Sequence, residues 1–483
     1  MPTQVDDYIQ EVIKKGDEGS ALLARVCAPT LKNCEYVDVL RQGMNGMSVL
    51  RLPKGYFAVV HSAGGCPEFK DVRKHAASMV VKLSDQARKI GAQPLAFANV
   101  IDSRKGDSSM LEDIANAMVE QADRFKLAIM NGENAILGSR VNCDANVSGT
   151  MISMIKPKDS WAANIPGYGL FNPRDLPISI NSDGIGTKTE FYERAARFDS
   201  CVYELGIFDW MAMDLDDTSK SGATARVISG VCETRGDIPI DRIRSRLKRE
   251  AERMDIIGIL EHEPVGSRLR GYEIGGASYN ISGSVVSTID EKMLKNPPRP
   301  HSGESVVAIR GEPNPRSNGI TDKRKTMIKL FGEHYENTRE GKLFLEYLAS
   351  PSTVLYPVFK ELIEKGIAKS VYHMSGGAYN GKLARPLAKH GLYARLKNLF
   401  QPDWRELALA GAAFASAKTA YAKWPMGNDG FITTRNPEKA MEAIRRFRLE
   451  ARVVGKVVKT ASGITGVTLE AFNGESVCFY GKD

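Results

Sequence analysis

Cysteine is scarce and scattered. Seven cysteines stand at Cys27, Cys34, Cys66, Cys143, Cys201, Cys232 and Cys478, none in a C-x-x-C pair. An odd, dispersed set predicts free thiols in a reducing cytoplasm and argues against a disulfide framework or a zinc site. No apolar run reaches about 18 residues, which predicts no membrane span. Residues 1–16 carry early acids and no apolar core, unlike a secretory leader. Cationic blocks and interleaved aromatic and basic residues are also missing, so nucleic-acid binding leaves no footprint. Nor is there a G-x-x-x-x-G-K-[ST] phosphate loop. The net charge of +8 over 483 residues is mild and suits small anionic substrates without requiring them. With 42% apolar and 26% charged residues, the composition is that of an ordinary globular chain. Its length allows roughly two to four domains.

What the chain does have is an internal repeat. From Phe57, "FAVVHSAGG" reads as a strand, "DVRKHAASMVVKLSDQARKIGA" as a helix and "QPLAFANVI" as a strand. "SSMLEDIANAMVEQADRF" is a helix that Ser108 or Ser109 would cap. "LAIMNGENA" and "NVSGTMISMI" are further strands. From Leu176 the order returns: strand "LPISINSDG", a long helical region from Phe191 to Ala223, strand "TARVISGV", helix "IDRIRSRLKREAERM", strand "IIGILEHEP" and strand "NISGSVVSTI". Gly91-Ala92 echoes Gly222-Ala223, "LGSRV" echoes "VGSRL", and "VSGTMISMI" echoes "ISGSVVSTI". Three echoes in register predict a duplicated α+β unit.

From Ser302 the pattern changes. Strand "SVVAIRG", a glycine turn and helix over "PRSNGITDKRKTMIKLF", strand "SVYHMSGGAYN" and a short helix over "NGKLARPLAKHG" come first. A strand-to-helix passage with Asn436-Pro437 at the helix start and a hairpin around Asn473-Gly474 complete it. These readings predict a mixed α+β chain of three domains, 1–160, 161–300 and 301–483, with linkers near Lys156–Leu176 and Pro297–Ser302.

The copies are unequal. "SAGGCPEF" in the first stands where the second has "SDGIGTKTEF", and "NGENA" in the first stands where the second has "LEHEP". Glycines at Gly184 and Gly186 let backbone N–H groups turn toward an anion, with Thr187 as a donor and Lys188 as a point charge. Asp183, itself an anion, is useful there by holding Mg²⁺ against phosphate oxygens. A tight turn with a surface lysine is the plain alternative. Asp214, Asp216 and Asp217 close the long helical region, and Asp214 and Asp217 share a helix face; they suit either a cation or a solvated acidic face. Glu133 sits in a Gly/Asn-rich stretch after an apolar strand, a frequent place for a functional carboxylate. Asp85 precedes Gly91-Ala92 much as Asp217 precedes Gly222-Ala223. In the last domain, His373 precedes Gly376 and Gly377, where backbone approaches something closely. Arg316, Ser317 and Asn318 form a polar turn open to a phosphate.

Taken in order, "SDGIGTK", "MAMDLDDTSKSGA", "NGENA", "PRSNG", "YHMSGGAYNGKLARPLA" and "VVGKV" resemble the motifs of aminoimidazole ribonucleotide (AIR) synthetase. This enzyme, phosphoribosylformylglycinamidine cyclo-ligase, is one of the PurM-like ATP-binding enzymes. The lead-in "GDEGSALLARV" is similar too. The resemblance implies that ATP phosphorylates the formyl amide oxygen of formylglycinamidine ribonucleotide, that the ring nitrogen attacks the activated carbon, and that AIR, ADP and phosphate leave. It implies a cytoplasmic enzyme of purine biosynthesis. Asp183, Asp217 and Glu133 would hold Mg²⁺. Gly184, Gly186, Thr187 and Lys188 would hold ATP phosphates. Arg316, Ser317, Asn318, His373, Gly376 and Gly377 would line the substrate side, with Lys188, Asp217 and His373 in catalysis. The family pairs N-domains from two chains into a β-barrel; two N-like copies here imply an internal pseudo-dimeric barrel plus one C-terminal α/β domain, as a monomer or a homodimer.

The departures are local. "RSNG" replaces HSNG, "SGGA" replaces TGGG, and "SPSTVLY" stands at the usual Pro-Thr-Arg. They leave two alternatives: another PurM-like ATP-dependent enzyme with a different amide or phosphate acceptor, or a non-catalytic nucleotide-binding scaffold.

Overall fold

The computed structural model describes residues 18–39, 48–64, 71–156, 165–272 and 276–481. The start of the lead-in, Cys66 with most of its loop, and part of the first linker lie outside these residues. The chain divides into two compact units, one running to Ala196 and resuming over Ala223–Lys295, the other holding Arg197–Gly222 and Asn296–Asp483.

The first unit contains β1 (Val37–Val39), β2 (Ser48–Leu50), β3 (Phe57–Ala63), β4 (Gln93–Ser103), β5 (Ala128–Ile136), β6 (Ala145–Ile155), β7 (Gly169–Phe171), β8 (Ile178–Gly184), β9 (Thr224–Arg235), β10 (Ile257–Pro264) and β11 (Ser278–Thr288). They form two sheets, ordered β5-β4-β6-β3-β7 and β1-β2-β8-β11-β9-β10. The series β5-β4-β6-β3 and β10-β9-β11-β8 match strand for strand. In each the first pair is parallel and the next two pairs antiparallel. The short strand ahead of each series pairs with the other sheet, β2 on β8 and β7 on β3.

The central strands β6 and β11 are buried along their whole length, as strands covered on both faces must be, although Asn, Ser and Thr interrupt their apolar residues. One face of the first sheet carries the helices Val72–Lys89 and Ser108–Phe125, through Met79, Leu83, Leu111, Ile114 and Met118 against Phe97 and Met151. The opposite faces of the two sheets meet through Val60, Ala96, Ala98, Ile152, Ile180, Val227 and Val286. The helix Ser108–Phe125 is capped by Asp107, not by either serine. Asp107 is extended, and its carboxylate accepts from Ser109 N and Met110 N, which a carboxylate does better than a hydroxyl at a positive helix end.

A closed barrel is not found among the described residues. Each ladder ends at an exchanged short strand on one edge and at β5 or β10 on the other, so the sheets face each other as open layers. The long helical region of the second copy is also broken. It becomes a seven-residue helix, Thr189–Ala195, a 3₁₀ stretch over Ser200–Leu205, and the helix Gly206–Ser219, the last of which packs in the second unit.

That second unit holds β12 (Ser305–Arg310), β13 (Ala368–His373), β14 (Tyr393–Leu396), β15 (Gly430–Thr434), β16 (Glu450–Val458), β17 (Gly466–Glu470) and β18 (Ser476–Tyr480), ordered β13-β15-β12-β16-β14-β17-β18. β17 and β18 form the hairpin, with Gly474 at φ +81°. After β13 the glycine loop enters a π-helical turn over Tyr379–Ala384 and then the helix Arg385–Lys389. No described helix is long and apolar enough to cross a membrane.

Candidate functional site

Each unit carries one set of candidate residues. In the first, β8 ends on Asp183 and Gly184, and Gly184 N donates to the Asp183 carboxylate at 2.7 Å. Ile185 N donates to Ile281 O at 2.9 Å, fixing the loop to β11. Gly186 adopts φ +66° with open space where a Cβ would lie. Asp183, Gly184, Gly186 and Thr187 are partly exposed, whereas Lys188 is fully buried, its ammonium 5.7 Å from the centre of the Tyr192 ring. The helix that follows is too short to add a useful dipole at this loop.

Glu133 lies on β5 and belongs to the same end of the sheets. It stands two residues before Ala135, which pairs in register with Asp102 on β4, and the Asp183 charge is among those acting on Asp102. Burial pushes the Asp102 carboxyl up to about 8, and the nearby Glu233 and Asp183 add to it. The two copies interlock here. Asn280 Nδ2 of the second copy donates to Asp102 of the first at 2.7 Å, and Asn146 Nδ2 of the first donates to Glu233 of the second. Asp102 and Glu233 hold matching places in the repeat, as do Asn146 and Asn280, so the crossed bonds have the pattern of a two-fold. At its centre Ser148 and Ser282, also matching residues, share a hydrogen bond of 2.7 Å.

In the second unit the acids of the helix Gly206–Ser219 point at its loops. Asp209 accepts from Ser317 Oγ at 2.9 Å and from Ser352 N at 3.2 Å. Asp216 accepts from Leu355 N and Tyr356 N, both at 2.8 Å, and from Arg316 Nη2 at 3.0 Å. Burial pushes the Asp216 carboxyl up to about 7 against the pull of Arg316 and these N–H groups. Arg316, expected at a phosphate, is 1% exposed at φ +51°, and its Nη1 donates to Thr353 O at 2.8 Å. Its guanidinium faces Asp216 rather than an open surface. Asn318 is buried, and its carbonyl accepts from Lys323 Nζ at 3.0 Å.

Asp217 meets His373 Nε2 at 2.5 Å, the Lys220 ammonium in close contact, and the Lys382 ammonium at 3.8 Å. Burial alone would raise this carboxyl; Lys220, Lys382 and His373 together hold it well below the usual carboxylate range. Burial pulls His373 down to about 3 despite Asp217, so the imidazole is neutral. Its hydrogen bonds assign the tautomer: Nε2–H donates to Asp217, and Nδ1 accepts from Arg316 Nη2 at 3.5 Å. Ser375 Oγ lies 3.2 Å from Nε2. Beyond it Gly376 is exposed, with nothing within 4 Å of where its Cβ would stand, and Gly377 adopts φ +79°.

Among the described residues no group of three or more His, Cys, Asp or Glu is arranged to hold a metal. Mg²⁺ at phosphate sites takes only one or two carboxylates. Asp183 and Glu133, partly exposed hard-oxygen donors, suit that; Asp217, covered by ammonium groups, does not. Sequence reasoning missed Asp102, Glu233, Asn146, Asn280, Lys220 and Lys382. The first four were legible as matched polar positions of the repeat, and Lys220 as the i+3 partner of Asp217.

No protein-family model matches this chain. It is 25% identical over 304 residues to a phosphoribosylformylglycinamidine cyclo-ligase of Clostridium perfringens, covering 61% of this chain and 84% of that enzyme. It is 25% identical over 213 residues to the enzyme of that name from Thermococcus kodakarensis, covering 42% of this chain and 57% of the relative's length. Among solved structures, E. coli HypE aligns at a TM-score of 0.41 with 16% identity, over 62% of this chain and 84% of that one. T. maritima PurL complexed with AMPPCP aligns at 0.37 with 14% identity, over 62% and 43%.

Proposed function

We propose that this chain is an ATP-dependent enzyme of the PurM-like type and, more finely, a cyclo-ligase that converts formylglycinamidine ribonucleotide to AIR with release of ADP and phosphate. The observation that carries the reading is the alignment with cyclo-ligases over 304 residues at 25% identity, together with the motif order in the sequence. The internal repeat is read as a gene-level duplication that supplies a partner half within one chain.

In this reading Gly184, Gly186 and Thr187 present backbone and hydroxyl donors to ATP phosphates, and Lys188, fully buried behind the loop, adds a cation. Asp183 and Glu133 would hold Mg²⁺, which supplies charge neutralisation on the phosphates. Asp217, which the resemblance also sets on the metal, is left out of that set because ammonium groups already cover it. Ser375, Gly376 and Gly377 face the substrate, and the neutral His373 positions that loop through Ser375. Phosphoryl transfer of this kind rests on positioning and electrostatics more than on a protein nucleophile.

The test is incubation with formylglycinamidine ribonucleotide and ATP, following AIR and ADP together. Equal amounts of both are expected. ATP turnover without AIR would remove the cyclo-ligase and leave the broader ATP-dependent reading; no ATP use with this substrate would also remove it and leave either a different acceptor or the scaffold. Lys188→Ala should lower turnover by about a hundredfold or more, with circular dichroism showing the fold retained.

A further inference from the structure

We propose that the Lys220 ammonium takes the place of a divalent metal at Asp217, so that Asp217 binds no metal ion. The geometry starts with the helix Gly206–Ser219, whose last turn carries Asp217; Lys220 follows as its C-cap residue. An i,i+3 pair lies on one helix face, and a cation at a helix C-terminus is favoured by the aligned peptide dipoles. Lys220 therefore has two local reasons to stay where it is, both independent of any ligand.

Oδ1 of Asp217 is already engaged twice, and Oδ2 faces a cation. Oδ1 receives His373 Nε2–H at 2.5 Å and the Lys220 ammonium. Oδ2 faces the Lys382 ammonium at 3.8 Å. One carboxylate beside two ammonium groups leaves a net charge of +1 before any metal arrives. Mg²⁺ bonds carboxylate oxygens at about 2.0–2.1 Å and keeps several waters in an octahedron. Seating it on Oδ1 would displace Lys220 and strip the His373 hydrogen bond, and seating it on Oδ2 would bring two more positive charges beside Lys382. The side chains of Asp217, Lys220 and Lys382 are only 25%, 34% and 24% exposed, so solvent screens that repulsion poorly. The ammonium performs the structural part of a metal's task, neutralising a carboxylate that would otherwise repel anions near the Ser375–Gly377 loop. Lys382, delivered by the π-helical turn Tyr379–Ala384, adds a second positive charge there. The consequence is a positively charged lining without a metal, suited to a phosphate or carboxylate group of a ligand. This assignment does not depend on which acceptor the enzyme uses.

Two measurements on the full chain test it. First, Mn²⁺ binding is followed by electron paramagnetic resonance in the native protein, in Asp217→Asn and in Asp183→Asn. Asp217→Asn should leave affinity and stoichiometry unchanged, whereas Asp183→Asn, which tests the metal placement proposed above, should weaken binding. A loss of about tenfold or more in affinity for Asp217→Asn, with the fold intact by circular dichroism, would overturn the proposal. Second, and needing no variant, Lys220 is labelled with an amine-reactive reagent with and without millimolar MgCl₂ and quantified by peptide mass spectrometry, with the exposed Lys365 as reference. An unchanged Lys220 rate relative to Lys365 supports the ammonium seat; a several-fold rise with Mg²⁺ would show the metal displacing the lysine and end the idea. Failure of metal binding at Asp183 would bear on the proposed function and leave the labelling result decisive for Lys220.

Discussion

Arg316 shows what one residue can do in this protein. Its guanidinium is buried among Asp216, the Thr353 carbonyl and, at 3.8 Å, Asp429, and it donates to His373 Nδ1. Asp216 in turn takes the N–H groups that open the helix Tyr356–Glu364. Arg316→Met would leave Asp216 buried without its cation. We expect a loss of about 3–5 kcal/mol in urea unfolding. Much of it should be recovered in the double variant Arg316→Met/Asp216→Asn, because the stranded charge is then gone. A single-variant loss below about 1 kcal/mol would mean the pair contributes nothing beyond an apolar replacement. The sequence showed Arg316 as an available cation in a polar turn; its actual partner comes from a helix a hundred residues earlier, and no local pattern encodes that.

At the scale of elements, the first unit depends on thin strands and exchanged edges. Gly149 on β6 has no room for a side chain: a Cβ there would lie 2.4 Å from the Phe97 ring on β4. Gly149→Ala should therefore destabilise the unit by about 1–3 kcal/mol, seen as a lower midpoint in urea or heat. Phe97→Leu in the same background should restore part of that by removing the ring; no recovery would mean the cost is in the backbone. The strands themselves are legible, since β6 and β11 share the recurring motif Asn-Val-Ser-Gly and Asn-Ile-Ser-Gly. The pairing of β2 on β8 and β7 on β3 is not. A three-residue strand carries no periodicity long enough to name its partner, and edge pairing is set by which ladder has an unpaired side. The helical region before Gly222 reads as one piece in the sequence for a related reason. Its apolar content is high throughout, but Asp199 caps a new turn through Cys201 N at 2.8 Å and restarts the helix in a different unit.

For the whole molecule, the crossed bonds between the copies couple folding to pH. Burial and Glu233 raise the Asp102 carboxyl to about 8, against about 4 in an unfolded chain. A folded-state value above the unfolded one means that the native state holds the extra proton between those limits. The associated stability is complete at low pH and is lost as pH rises toward about 8, at a slope near 1.4 kcal/mol per pH unit for a single group. Asp102→Asn, which keeps an acceptor for Asn280, should flatten that slope. Urea unfolding at pH 5, 6, 7 and 8 reads it directly: the variant should gain on the native protein as pH increases. Parallel curves for the two proteins would place the proton elsewhere.

The sequence by itself determined the repeat, the mixed α+β character, the terminal hairpin and the glycine-rich loop after β8. All of these are written in local currency: periodicity, turn residues and the recurrence of short motifs. Only tertiary structure decided that two open sheets face each other where a barrel was expected, that Asp107 and not a serine opens a helix, and that Asp217 sits under Lys220, Lys382 and His373. The reason is physical. A buried charge is satisfied by whatever group packing brings within a few ångströms, and packing joins segments whose separation along the chain leaves no mark in either one.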